Sequence, residues 1–333
     1  MKLAENISLL PYNTFHIDAK AKIFAEYESV EELRGLLRSS VNNEILHIGS
    51  GSNLLFTGDY DGIILHSAMR SVRVLHEDAE HVFVEAESGV VMDELIAYLC
   101  KQTWSGMENL SYIPGEVGAS AVQNVGAYGV EAKDLIEQVR AIDVMTGNER
   151  IFTNAECRFA YRDSIFKNEL KGKYIITHVV YRLNKSFRPV LSYAGIMEEL
   201  GDEEVTLHTL REAIIRIRKK KLPEVDELGS AGSFFKNPVV SHKVYEQIAE
   251  RYDRVPHYDL PDGVKIPAAW LIEQCGWKGK MHGGAQCYEK QPLILVNTGN
   301  AKAKDIIELA EAICQSVMEK FGITISPEVN YIN

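Results

Sequence analysis

Residues 232–238 combine side chains that are suited to proton transfer and to anion binding. The segment reads Gly-Ser-Phe-Phe-Lys-Asn-Pro, so a hydroxyl, a cation and an amide lie beside two aromatic rings. The rings can hold the loop in a core, while Ser233, Lys236 and Asn237 offer a proton, a positive charge and a directional hydrogen bond. On these residues alone, the segment could equally be the entry to a strand that buries a phenylalanine pair.

Residues 49–53, Gly-Ser-Gly-Ser-Asn, form a first glycine loop after a short apolar strand. Glycines permit the positive φ that turns several N–H groups towards an anion, and the Ser and Asn side chains add donors. The loop lacks the G-x-G-x-x-G fingerprint of dinucleotide-binding folds and the Gly-Lys-Ser/Thr ending of a P-loop. Taken alone, it could also be a plain tight turn.

Residues 113–129 form a second glycine loop, which is long, nearly uncharged and rich in small side chains. Small side chains let a flat ring and a pyrophosphate lie against the backbone, and Gln123 and Asn124 can bond the polar edges of the ring. Together, the two glycine loops predict the binding of a large cofactor.

The composition argues against several classes of protein. The chain carries 36 basic and 47 acidic residues, a net charge of −11, whereas a nucleic-acid surface needs a clustered basic excess. No apolar stretch approaches the ~20 residues that span a bilayer, and the N-terminus lacks the apolar core of a signal peptide. Five widely spaced cysteines without a C-x-x-C pair favour reduced thiols in a cytoplasm over a metal site or a disulfide framework.

The apolar periodicity predicts mixed helices and strands. Ser29 and Glu32 form a capping box at the start of an amphipathic helix. Strands are predicted at residues 44–48, 62–65, 82–86, 139–144, 174–180 and 293–297. Further helices are predicted at residues 92–101 and 210–220, before Gly276, and where Ile306, Leu309, Ile313, Val317 and Phe321 share one face. Because helices and strands are segregated, the fold class is α+β rather than a doubly wound parallel sheet.

Six segments in this order and spacing closely resemble the UDP-N-acetylenolpyruvoylglucosamine reductase (UDP-N-acetylmuramate dehydrogenase) family of bacterial peptidoglycan precursor synthesis. They are residues 13–15 (Asn-Thr-Phe), 49–53, 113–129, 161–164 (Tyr-Arg-Asp-Ser), 232–238 and 327–329 (Pro-Glu-Val). The resemblance covers nearly the whole chain. Residues 189–193, Pro-Val-Leu-Ser-Tyr, look like the segment of the longer, type I class whose tyrosine closes over the bound sugar nucleotide.

The resemblance implies a two-subdomain FAD-binding region of the vanillyl-alcohol-oxidase (PCMH) type and a C-terminal α+β substrate-binding domain. We expect the first FAD-binding subdomain at residues 1–70, with residues 323–333 returning near the active site. The second subdomain is expected at residues 71–215 and the substrate-binding domain at residues 216–322.

The resemblance also implies a reaction, in which NADPH and non-covalent FAD reduce UDP-N-acetylglucosamine enolpyruvate to UDP-N-acetylmuramate. Flavin N5 would deliver a hydride to C3, Ser233 would give a proton to C2, and Arg162 and Glu328 would stabilise the enolate. The alternatives are an Arg162 that pairs with Asp163, a Ser233 that bonds its own backbone and a Glu328 that faces solvent. The family often has Arg where this chain has Asn330, which alters the electrostatic field around Glu328.

The remaining site residues implied by the resemblance fall into two groups. The expected cofactor-binding residues are Gly49, Ser50, Gly51, Ser52, Asn53, Pro114, Gly115, Gly118, Ala119, Asn124, Gly126 and Ala127. The expected substrate-binding residues are Tyr161, Tyr193, Arg218, Lys221 and Asn237.

Two other functions remain open at this stage. One is an oxidase of the same flavin fold that acts on an alcohol or sugar; many such oxidases tether FAD through a histidine near the first glycine loop, where this chain has Ser50, Ser52 and Asn53. The other is a non-catalytic flavin-binding relative, for which Arg162, Ser233 and Glu328 would have no use. The expected protein is a cytoplasmic monomer that binds neither nucleic acid nor membrane.

Overall fold

The computed structural model describes residues 1–40, 43–193 and 195–333. These residues form eight α-helices: α1 (Val30–Ser39), α2 (Met92–Lys101), α3 (Val117–Gln123), α4 (Ile196–Leu200), α5 (Leu207–Lys221), α6 (His242–Ala249), α7 (Ala268–Gln274) and α8 (Ala303–Phe321). Short 3-10 helices occur at Leu10–Tyr12, Glu108–Leu110, Ala132–Asp134, Ala155–Cys157 and Ile165–Lys167.

The strands are short and numerous. They are β1 (Lys2–Ser8), β2 (Lys20–Tyr27), β3 (Ile45–Ile48), β4 (Leu54–Phe56), β5 (Tyr60–Ser67), β6 (Val72–Glu77), β7 (His81–Glu87), β8 (Gly126–Ala127), β9 (Val130–Glu131), β10 (Ile136–Asp143), β11 (Glu149–Thr153), β12 (Tyr174–Asn184), β13 (Gly229–Ser233), β14 (Val239–Val240), β15 (Tyr258–Leu260), β16 (Gly263–Lys265), β17 (Met281–His282), β18 (Ala285–Cys287), β19 (Ile294–Asn297) and β20 (Asn330–Ile332).

The chain forms two compact units, each assembled from three segments. Unit 1 comprises Met1–Ile7, Ala21–Ser50 and Asp61–Lys220, and unit 2 comprises Ser8–Lys20, Gly51–Tyr60 and Lys221–Asn333. The expected boundaries after residues 70 and 215 stay predictions.

Unit 1 contains two sheets with helices packed on them. A four-stranded sheet has the order β1-β2-β5-β3, and an antiparallel five-stranded sheet has the order β11-β10-β12-β7-β6. Helix α1 begins where the capping box predicts, since Ser29 accepts a hydrogen bond from the N–H of Glu32. Its buried Leu33, Leu36 and Leu37 pack in one core with residues of β2 and β5. Helices α2 and α3 share the core of the five-stranded sheet.

Unit 2 is built on a four-stranded antiparallel sheet with the order β13-β19-β18-β17. The apolar face predicted for the last helix is correct, because Ile306, Leu309, Ile313 and Val317 of α8 are buried in the core of this unit. Strands β14, β16 and β15 form a smaller sheet, and β20 pairs in parallel with β4.

One expectation about local structure is wrong. The sequence predicts one long loop at residues 113–129, whereas residues 117–123 form helix α3. The small residues that suggest a loop also let the helix pack closely, with Val117 and Ala121 fully buried. Asn124 ends the helix in the left-handed region at φ 48°, where Asn is tolerated better than most residues.

No helix in the described ranges is long and apolar enough to cross a membrane.

Candidate active site

In unit 2, the backbone brings the segments of Ser233 and Glu328 together. Ser233 ends β13, and the N–H of Glu328 donates to the carbonyl of Phe234 at 2.7 Å. Phe234 and Phe235 are buried, with ring centroids 5.1 Å apart in an edge-to-face arrangement. The aromatic pair therefore fixes the loop as the sequence predicts, and leaves Ser233 half-buried.

The neighbouring amides in unit 2 have structural partners. The side-chain oxygen of Asn237 accepts a hydrogen bond from the N–H of Ala268 at 2.9 Å, at the start of α7. Asn330, which stands where the family often has Arg, donates through Nδ2 to the carbonyl of Asn53 at 3.3 Å. The Asn53 side chain in turn donates to the carbonyl of Glu328 at 3.4 Å. Asn330 thus joins the Glu328 segment to the end of the first glycine loop.

In unit 1, Arg162 is attached to the second glycine loop. Its Nη2 donates to the carbonyl of Gly126 at 2.8 Å, and its guanidinium lies 5.5 Å from the ring centroid of Tyr161. The backbone of Arg162 is left-handed, at φ 55°, a conformation that is strained for a residue with a long side chain. The carbonyl of Arg162 accepts a hydrogen bond from Lys167 at 3.1 Å. These contacts hold the guanidinium beside the loop expected to bind the cofactor.

Three glycines of the two loops are packed closely by other parts of the protein. A Cβ on Gly118 would come within 2.9 Å of the Ser88 side chain, and one on Gly126 would come within 3.1 Å of Nη1 of Arg162. Gly51 has a φ of +64°, and a Cβ there would meet the carbonyl oxygen of Tyr12 at 2.0 Å. Larger residues at these places would displace the loop backbone, so glycine is required by geometry.

Asn124, one of the expected cofactor-binding residues, uses its side chain inside the protein. Its Nδ2 donates to Glu131 at 2.8 Å and to the carbonyl of Ala160 at 2.7 Å, while its Oδ1 accepts from the N–H of Lys133 at 2.9 Å. These contacts tie α3 to the turn that precedes Arg162. A cofactor contact by Asn124 stays a prediction.

Arg218 and Tyr193 of unit 1 converge on a residue that the sequence analysis did not select, Tyr128. Arg218 interacts electrostatically with the Tyr128 hydroxyl, and the rings of Tyr128 and Tyr193 lie edge to face with centroids 5.1 Å apart. Burial lowers the pKa of the Arg218 guanidinium, and Tyr128 opposes that shift. An aromatic residue within a run of small ones was the sequence signal for Tyr128. The fifth expected substrate-binding residue, Lys221, is exposed at the start of the last segment of unit 2.

An ion pair supports Arg218 through the backbone of Tyr112. Arg211 and Asp93 form a two-pronged bridge with N–O distances of 2.6 and 2.9 Å. Asp93 also accepts from the N–H of Tyr112 at 2.6 Å, and the Tyr112 carbonyl accepts from Nε of Arg218 at 2.9 Å. Tyr112 itself is left-handed, at φ 60°. The Asp93 carboxylate therefore holds a strained residue next to Arg218.

Asp93→Asn is expected to lower the free energy of unfolding by about 1–3 kcal/mol at pH 7, because a partly buried charged hydrogen-bond acceptor is lost. Burial would raise the pKa of the Asp93 carboxyl, but Arg211 and the Tyr112 N–H hold it below its ordinary value. The stabilisation is therefore complete when the pH is above about 3.9, the pKa of the carboxyl in the unfolded state. It is lost as the pH falls through the lower pKa of the folded state. Urea unfolding from pH 7 towards pH 3 measures the difference between the proteins.

Asp61→Asn is the control, because Asp61 pairs with Lys22 in solvent with 90% of its side chain exposed. The control should leave the unfolding free energy unchanged. If the difference in unfolding free energy between the wild type and Asp93→Asn does not become smaller at low pH, the ionised carboxylate does not provide the stabilisation.

Comparisons with known proteins identify the family. Residues 223–332 match the model for the UDP-N-acetylenolpyruvoylglucosamine reductase C-terminal domain, and residues 21–153 match that for an FAD binding domain. A UDP-N-acetylenolpyruvoylglucosamine reductase of Bacteroides fragilis is 49% identical over 333 residues, covering 99% of this chain and 100% of the relative. This chain belongs to the UDP-N-acetylenolpyruvoylglucosamine reductase family.

Other members of the family agree with this assignment. The reductase of Flavobacterium johnsoniae is 42% identical over 337 residues, covering both chains completely. The crystal structure of the reductase from Thermus caldophilus shares the fold, with a TM-score of 0.70, 23% identity, and coverage of 100% of this chain and 98% of that one. The family resemblance, the α+β flavin-binding fold and the FAD cofactor predicted from the sequence are confirmed.

Proposed function

We propose that this protein reduces UDP-N-acetylglucosamine enolpyruvate to UDP-N-acetylmuramate with electrons from NADPH, in the synthesis of peptidoglycan precursors. The observation that carries the proposal is the end-to-end similarity to reductases of that name, at 49% identity. The FAD-binding match over residues 21–153 supports the flavin chemistry. Bound FAD, reduced by NADPH, supplies the hydride to C3 of the enolpyruvyl group.

Arg162 is the residue that we assign to the developing negative charge. Hydride addition to the double bond moves charge onto the neighbouring carboxylate, and a guanidinium binds carboxylates in a fixed fork while staying charged. The hydrogen bond from Nη2 to Gly126 supports this role, because it orients the fork at the second glycine loop. A preoriented cation of this kind stabilises charge without reorganisation during the reaction.

Ser233 is the residue that we assign to proton donation at C2. A hydroxyl is a weak acid, so it serves only a strongly basic enolate in a site that excludes water. The hydrogen bond between the N–H of Glu328 and the carbonyl of Phe234 places the Glu328 segment next to that of Ser233. This adjacency supports a shared role for the hydroxyl and the carboxyl.

The proposed substrate contacts are Tyr161, Tyr193, Arg218, Lys221 and Asn237, and we include Tyr128 because its ring packs on that of Tyr193. Arg218 suits a diphosphate because a guanidinium binds phosphate oxygens in a fork, and its half-buried side chain is oriented by the hydrogen bond from Nε to the Tyr112 carbonyl. We further propose that the enzyme acts as a monomer in the cytoplasm. The free cysteines support a reducing compartment, and burial raises the pKa of Cys157 and of Cys287 to about 12.

Tyr193→Phe is expected to raise the KM for the sugar nucleotide by about 2- to 10-fold, the usual worth of one hydroxyl hydrogen bond. The substitution keeps the edge-to-face contact with Tyr128, so the loop position should be unchanged. Steady-state kinetics measure the effect. Tyr98→Phe is the matched control, because that side chain is 39% exposed and Tyr193 is 40% exposed. An unchanged KM in Tyr193→Phe would contradict a substrate contact.

Anaerobic stopped-flow absorbance at the flavin band tests the function as a whole. NADPH should bleach the holoenzyme, and UDP-N-acetylglucosamine enolpyruvate should restore the colour. Restoration by oxygen alone would indicate an oxidase, and a flavin that NADPH does not bleach would indicate a non-catalytic flavin protein.

A further inference from the structure

Glu116 is a buried carboxylate within the second glycine loop, to which no role has yet been given. It directly precedes α3, and only 5% of the residue is exposed. Its Oε1 lies 3.0 Å from Nε2 of His66 and 3.4 Å from the hydroxyl of Ser50. His66, on β5, is 6% exposed. A buried carboxylate of this kind is stable only when it is paired and hydrogen-bonded.

The same carboxylate touches the first residue of the first glycine loop. A Cβ on Gly49 would lie 3.0 Å from Oε2 of Glu116, so the side chain packs directly on the Gly49 backbone. One oxygen of Glu116 therefore bonds Ser50 and the other covers Gly49. The Glu116 side chain joins the two loops that are expected to hold the cofactor.

His66 packs between Glu116 and a second carboxylate, Glu26. The Nδ1 of His66 lies 3.6 Å from Glu26, and its ring stacks on Phe24 with centroids 6.2 Å apart. The other nearby imidazole, His47, bonds the Tyr27 hydroxyl at 2.8 Å. Desolvation lowers the pKa of His47 to about 3, and the charge of His66 adds to that shift. His47 is therefore neutral at pH 7 and makes its hydrogen bond to Tyr27, whereas His66 is the imidazole that contacts Glu116.

We propose that Glu116, paired with His66, is a positioning residue for the flavin. The pair fixes Gly49 and Ser50 against the start of α3. The N–H groups of both glycine loops are therefore already oriented for an anionic cofactor before it binds. The inference rests on FAD binding, and it is independent of the residues assigned to proton donation and enolate stabilisation.

FAD binding to the apoprotein tests the proposal. Flavin is removed from each variant, and the dissociation constant for added FAD is measured by quenching of flavin fluorescence. Glu116→Ala should weaken FAD binding by about 10- to 100-fold, the usual worth of a charged hydrogen bond. Glu116→Gln, which keeps an acceptor for Ser50, should recover most of that loss.

His66→Ala should weaken binding by a similar factor. Combined with Glu116→Ala, it should add little, since the two side chains act as a pair.

Glu108→Ala is the matched control for burial. Glu108 is 2% exposed and bonds the hydroxyl of Ser105 and the N–H of Gly106 in its own turn. This variant should lower the melting temperature of the apoprotein and leave FAD affinity unchanged, whereas Glu116→Ala should weaken FAD binding by more than its loss of apoprotein stability accounts for.

Unchanged FAD affinity in Glu116→Ala overturns the proposal, and so does a loss of affinity that only parallels a loss of apoprotein stability. Failure of the wild-type apoprotein to bind FAD would instead count against the proposed function itself.

Discussion

Replacing Ser233 with alanine is expected to slow reduction of the enolpyruvyl substrate by about 10²–10⁴-fold, the usual contribution of a positioned general acid. Flavin reduction by NADPH should change little, because that half-reaction needs no proton at C2. The fold should also tolerate the change, since Ser233 pairs with Ile294 through backbone groups and its side chain is only half-buried. Stopped-flow traces of the two half-reactions separate these effects.

Ser230→Ala provides the control for the Ser233 experiment. Ser230 lies on the same strand, its backbone N–H donates to the carbonyl of Thr14, and it is 3% exposed. Both half-reactions should remain near the wild-type rates. If Ser233→Ala slows the two half-reactions equally, the hydroxyl is not the proton donor and its loss acts on the flavin site as a whole.

Replacing Arg162 with lysine is expected to slow the same half-reaction by about 10²–10³-fold, a loss comparable to that of one oxyanion donor. Lysine keeps the positive charge but loses the planar fork, and it cannot both bond Gly126 as Nη2 does and meet a carboxylate with two donors. Substrate binding should fall much less, because the stronger interaction is needed only after charge has moved. Single-turnover rates at saturating substrate, together with a titration of substrate binding, measure the two quantities.

Arg158→Lys is the matched control for Arg162. Arg158 has a left-handed backbone at φ 46° and pairs on the surface with Glu169 at 2.6 Å. Such exposed pairs contribute little, so rates and affinity should be unchanged. A loss in Arg162→Lys that appears wholly in substrate affinity would assign the guanidinium to ground-state binding alone.

Much of the fold follows from local patterns. The helix expected at residues 92–101 coincides with α2, and the strand expected at residues 174–180 is the first part of β12. Both elements have strong apolar periodicity. Helix α1 is marked in addition by its capping side chain, Ser29. The helix α3 was missed because the glycines within and around it indicate a loop, whereas its two alanines favour a helix and the burial of Val117 and Ala121 stabilises it.

Some features of the candidate site also follow from local sequence, whereas others depend on contacts between distant segments. Residues 232–238 could be interpreted from composition because the buried phenylalanine pair and the polar side chains proposed for the chemistry are neighbours in sequence. The contacts of Glu116 with Ser50 and His66 join parts of the chain that are distant in sequence, and no local pattern predicts them. Tyr128 lies within a motif that we selected, but its partner Arg218 is on α5. Pairings of this kind depend on tertiary structure.

The discontinuity of unit 2 has a consequence for the order of events on the ribosome. Its first two segments, Ser8–Lys20 and Gly51–Tyr60, are synthesised before all of Asp61–Lys220. Strand β4 cannot pair with β20 until the last residues of the chain have been synthesised. At roughly 5–20 residues per second, this interval lasts on the order of tens of seconds. Throughout it, Phe15 and Leu55 lack the core that later buries them completely. The nascent protein is therefore most exposed to aggregation and most dependent on chaperones while unit 1 is being synthesised.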